Sequence, residues 1–112
     1  MSRNWRIYLD DILHACEKVG RFTIGMSQAD FQQDERTFDA VVRNLEVIGE
    51  AAKHVPEQVR QRMPGIEWRK VAGLRDVLSH AYFGIDADIL WDIISNKLKS
   101  LEDAIRGFLP GA

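Results

Sequence analysis

Residues 34–56 read DERTFDAVVRNLEVIGEAAKHVP, and this stretch decides the fold class. Its apolar side chains, Phe38, Val41, Val42, Leu45, Ile48, Ala52 and Val55, recur at spacings of three and four. That is the period of one helix face. Arg43, Glu46, Glu50 and Lys53 fall largely opposite, which gives the segment a wet side and a dry side. Asp34 stands where a helix begins, and Pro56 sits where it can end that helix or open a short one through Val59 and Met63.

The same rhythm runs outward in both directions. Upstream, Trp5, Leu9, Ile12, Cys16 and Val19 form a stripe that stops near Gly20. Gly25–Ser27 breaks the chain, and Ser27 can cap a short turn carrying Phe31. Downstream, Pro64-Gly65 marks a turn. The spacing then predicts a helix from Trp68 to His80 with Val71, Leu74 and Leu78 inward, broken at Gly84. Asp86 can cap a last helix that buries Leu90, Ile94, Leu98, Leu101 and Ile105 before Gly107 and Pro110. No window alternates with period two. The expectation is an all-α, antiparallel, four- to five-helix up-and-down bundle, a single domain over 1–112.

Composition agrees with one small core. Of 112 residues, 46% are hydrophobic and 29% charged, too apolar a mixture for intrinsic disorder. Fifteen basic residues face 17 acidic ones, for a net charge of −2 and a pI near 5.9. No apolar run approaches the length of a membrane span, and Asp10 and Asp11 interrupt any signal-peptide core. The single cysteine, Cys16, cannot form an internal disulfide. A cytoplasmic protein is expected.

Several chemistries lack their residues. His14, His54 and His80 lie far apart in sequence without metal-ligand spacing, so no metal and no cofactor are predicted. His54 reads as a residue suited to the negative end of a helix dipole, and Cys16 as core. There is no glycine loop for a nucleotide and no activated serine. The three tryptophans read as packing anchors. Between 60 and 75, however, Arg60, Arg62, Arg69, Lys70 and Arg75 stand against Glu67 alone. Such a patch is either ordinary surface or a seat for a polyanion.

Arg75-Asp76-Val77-Leu78-Ser79-His80-Ala81-Tyr82 follows directly. An arginine offers a fork of donors to a phosphate, and a histidine exchanges protons near neutrality. On a regular helix Arg75, Ser79 and Tyr82 share a face. His80 lies about 140° around from Arg75 and aligns with Asp76, which could orient the imidazole. Two arrangements would let arginine and histidine meet. Either the helix ends before His80, or two copies of the motif face each other across a dimer axis.

The string Arg75-x4-His80-x-Tyr82 resembles the signature of the HEPN superfamily, specifically its HepT-like branch. So do Asn44–Ala52, Trp68-Arg69 before Gly73-Leu74-Arg75, Tyr82–Asp86 and Leu90–Ile94, and the likeness spans roughly positions 5–108. It implies a HEPN-like homodimer with apposed motifs acting as a metal-independent endoribonuclease, the toxin of a toxin–antitoxin pair. The implied partners are an RNA substrate and an MNT-type nucleotidyltransferase antitoxin, with no membrane involved. Arg75 and His80 are then the catalytic pair, and Tyr82 is where the partner transfers AMP. Asp76, Ser79 and Glu50 have supporting places, and Glu50 reads either as an orienter of Arg75 from the adjacent helix or as a solvated structural residue. Asp76 departs from the asparagine frequent at that position. A second reading keeps the fold without catalysis, as a nucleotide-binding or docking module for a nucleotidyltransferase.

Overall fold

The chain folds into helices joined by short turns. The structure, a computed structural model, describes residues 4–80 and 86–109, without the side chains of 77, 79 and 80. Helix α1 covers Trp5–Thr23, α2 Gln28–Gln33, α3 Glu35–Lys53, α4 Glu57–Arg60 and α5 Trp68–His80. Helix α6, Ala87–Asp92, runs through a π-helical turn at Ile93–Lys97 into α7, Leu98–Phe108. Four long rods result, and no strand occurs among the described residues. The all-α bundle expected from periodicity is the architecture found. The proposed stops at Gly84 and Pro110 lie outside the described residues.

Local chemistry sets the ends. Asn4 accepts from the Arg6 amide, and Ser27 and Asp30 form a reciprocal capping box on α2. Asp34 accepts from the Thr37 amide to start α3, which holds its carboxyl below the usual carboxylate range. Asp86 caps α6 through the Asp88 amide. Gly25 turns the chain after α1 at φ 75°, a backbone state that side chains resist.

Helix α1 packs along α3 and α7, and α3 also packs on α5. Tyr8 near the start of α1 stacks on His54 just after α3, and Trp5 meets Phe108 at the end of α7. Both neighbours therefore run antiparallel to α1. The core is the predicted stripe: Leu9, Ile12, Cys16 and Val19 against Val41, Leu45, Ile48 and Ala52, closed by Leu90, Leu101 and Ile105. Arg106 ties α7 to α1 through Glu17 at 3.1 Å. Cys16 lies inside this core. Burial first, then the nearby Glu102 and Glu17 carboxylates, push its thiol up to about 12. Thiolate chemistry at Cys16 is thereby suppressed.

The last helix departs from expectation in one respect, since a regular rod was predicted from Asp86 onward. Leu90 and Leu98 are both buried, yet eight residues advance about 800° at 100° each and would leave them about 80° apart. The π turn between them takes up the surplus residue and returns Leu98 to the core side.

Much of the basic run serves the fold. Arg60 donates from Nε to the Val55 carbonyl at 3.0 Å and from Nη2 to the Ala52 carbonyl at 2.6 Å. These carbonyls lie at and just past the end of α3, where the helical ladder runs out, and that of Ala52 also accepts from the Val55 amide at 3.3 Å. Arg62 lies 4.8 Å over the Phe108 ring, and Lys70 pairs with Glu67 at 2.9 Å. Trp68 is buried and donates its indole N–H to the Met63 carbonyl, the anchoring role expected of it. Truncation of Arg60 to alanine is expected to cost about 1–3 kcal/mol in urea denaturation, because two carbonyls lose charged donors. A midpoint equal to that of the parent would show those bonds to be dispensable.

Candidate active site

The site is assembled where α3 and α5 touch. Glycine at position 49 allows that contact. A Cβ there would lie 2.7 Å from the Arg75 backbone nitrogen, 3.2 Å from the Arg75 Cβ and 3.3 Å from the Val71 carbonyl oxygen. Val71 and Arg75 are four apart, so this is one hydrogen-bonded turn of α5 lying directly on Gly49. Position 49 thus fixes how near Arg75 sits to α3.

Glu50 follows, and its two oxygens have different partners. Oε2 lies 3.4 Å from Arg75 Nε, and Oε1 lies 3.4 Å from His54 Nε2. Glu50 and Arg75 thus meet across the two helices. The pair stays in reach of solvent, with both side chains 49% exposed. One turn along, Lys53 Nζ stands 3.5 Å from Asp76 Oδ1. Asp76 therefore has a cation beside it. Two ion pairs of opposite polarity lace α3 to α5.

On its other side Glu50 borders a shallow groove between α1 and α3. This groove, about 290 Å³ in volume, is lined by Tyr8, Asp11, Val47, Glu50, Ala51 and His54. The His54 ring stacks on Tyr8 with centroids 4.9 Å apart and planes 19° from parallel. A neighbouring pocket shares Asp11 and Val47 with this groove and is lined also by His14, Lys18 and Arg43. His14 and His54 stand apart from Arg75 in sequence, but only His54 reaches it through a shared carboxylate.

The remaining predicted residues divide as follows. The backbone of α5 is helical through His80, so the helix does not end before the histidine. The Ser79 and His80 side chains and all of Tyr82 lie outside the described residues. Sequence reasoning overlooked His54, Lys53 and Tyr8 as neighbours of the site. Glu50 and His54 are one helical turn apart, a spacing that could have flagged the first; the other two depend on neighbouring helices.

No helix among the described residues is long and apolar enough to cross a membrane. Comparison with known proteins extends over nearly the whole chain. A family model described as ribonuclease HepT-like matches residues 12–107. A protein of Thermococcus cleftensis named "Probable ribonuclease HepT" is 42% identical over 102 residues, covering 91% of this chain and 93% of the relative. A Methanocaldococcus jannaschii protein is 43% identical over 109 residues, 94% of this chain and 90% of its own. One from Caldanaerobacter subterraneus is 38% identical over 104 residues, 93% of each. The latter two carry provisional RNase names. No solved structure matches significantly. The chain belongs to the ribonuclease HepT-like family of the HEPN superfamily.

Proposed function

We propose that the protein is a metal-independent endoribonuclease and the toxin of a toxin–antitoxin pair. The observation that carries this reading is Arg75, a half-exposed guanidinium at a close helix contact, held by Glu50, in a chain whose relatives bear ribonuclease names. The reaction is attack of a ribose 2′-oxygen on the adjacent phosphorus. The phosphorus–5′-oxygen bond breaks, leaving a 2′,3′-cyclic phosphate and a 5′-hydroxyl. Arg75 stabilises charge on the non-bridging oxygens, and His80 takes or returns the proton.

Helicity through His80 supports a site shared between two copies. On a helix that runs through both residues, positions 75 and 80 are about 140° apart around the axis, so in a homodimer the arginine of one protomer works with the histidine of the other. Control follows the family pattern. An MNT-type nucleotidyltransferase joins the Tyr82 oxygen to the α-phosphorus of ATP, with pyrophosphate leaving. The added phosphodiester and adenosine then repel or block the RNA backbone.

The test is cleavage of RNA by the purified protein in EDTA. The expected rate equals that in magnesium. Loss of cleavage on chelation would remove the metal-independent mechanism.

A further inference from the structure

We propose that His54 is a positioning residue for Arg75, acting through Glu50 to set how firmly the carboxylate holds the guanidinium away from a substrate phosphate. The inference rests on the ribonuclease reading, in which Arg75 receives that phosphate.

Both oxygens of Glu50 are engaged, one by His54 and one by Arg75, so whatever His54 does to the carboxylate is felt at the arginine. The ring has a defined place, stacked on Tyr8 from α1. The charged groups around it are few. Glu50 and Lys53 share its helix, Asp11 faces it from α1, and Arg75 and Asp76 reach it from α5 by way of Glu50 and Lys53. Among the described residues, the ion pairs between α3 and α5 set Lys53 and Arg75 against Asp76 and Glu50, so a charge on His54 tips the balance at Glu50. A neutral His54 leaves Glu50 to Arg75 at full strength, in competition with RNA. A protonated His54 takes up the charge of Glu50 and releases Arg75 toward phosphate. Affinity for RNA is therefore higher while His54 carries a proton and falls as rising pH removes it.

Two readouts test this on the full chain. The first is the Arg75 Nε–H resonance followed by NMR from about pH 5 to 8. It is expected to track the His54 titration in the parent and to lose that inflection in His54→Asn and in Glu50→Gln. The second is binding of a mixed-sequence RNA oligonucleotide carrying 2′-O-methyl groups, which lacks the attacking hydroxyl. Parent affinity is expected to fall about tenfold more steeply with rising pH than that of either variant. Glu50→Gln keeps the histidine and its charge. A pH dependence there equal to the parent's would mean that His54 acts as plain positive charge, overturning the proposal. An Arg75 resonance indifferent to His54 overturns it as well, whatever RNA does. Should the parent cleave RNA while its binding stays flat with pH, this inference fails alone. If the parent neither binds nor cleaves, the ribonuclease reading fails and takes the inference with it.

Discussion

Replacement of His80 by alanine is expected to lower RNA cleavage by about 10²–10⁴-fold, the usual worth of a positioned proton-transfer group. Arg75→Ala is expected to cost about 10²–10³-fold, as for loss of one donor to transition-state charge. Arg75→Lys should recover little, because a point charge does not reproduce a planar fork. Initial rates on a fluorescent RNA, with thermal melts to verify folding, measure all three. The shared-site geometry adds a sharper expectation. Neither Arg75→Ala nor His80→Ala protein holds a complete pair, yet exchanging their subunits should restore about a quarter of parental activity. Half the dimers are then mixed, and each of those has one intact site of two. A site confined to one protomer would show no recovery.

Gly49→Ala is the second substitution with a large expected effect, and it acts through the fold. Alanine in place of glycine inside a helix normally stabilises by about 0.5–1 kcal/mol. At position 49 the sign reverses, because the new methyl would sit 2.7 Å from a backbone nitrogen of α5, and backbone does not yield as a flexible side chain does. A net loss of about 1–3 kcal/mol is expected, the usual cost of overpacking. The Glu50–Arg75 pair should open with it and lower cleavage. Gly73→Ala is the matched control on α5, since nothing lies within 4 Å of a Cβ there. It should raise stability slightly in the same denaturant titration. Equal behaviour of the two variants would mean that α5 moves freely over α3.

These two positions mark the boundary of what a linear chain reveals. The stripe from Phe38 to Val55 specifies a helix and its dry face without reference to any neighbour; Val41, Leu45, Ile48 and Ala52 of α3 are buried on it, while the buried Asn44, Gly49 and Ala51 lie outside it. Nothing local to residue 49 demands glycine; the demand comes from Val71 and Arg75 on another helix. Arg60 illustrates the same limit from the other side. Its charge suggests a surface for polyanions, but its guanidinium is committed to two carbonyls, five and eight residues upstream, that the turn between α3 and α4 brings near. The π turn was also hidden, because the i, i+4, i+8 spacing of Leu90, Ile94 and Leu98 also fits within the breadth of one apolar helix face. The Arg75 to Tyr82 motif was legible as chemistry, and Glu50 as its neighbour. How Glu50 divides its oxygens between Arg75 and His54 required the packing of α3 against α5.

The chemistry of the RNA ends tests the central claim most directly. RNA cut by the purified protein should carry a 2′,3′-cyclic phosphate on one fragment and a 5′-hydroxyl on the other, read by mass spectrometry before any acid treatment. Fragments ending in a 3′-hydroxyl and a 5′-phosphate would contradict attack by the 2′-oxygen, and with it the roles given to Arg75 and His80.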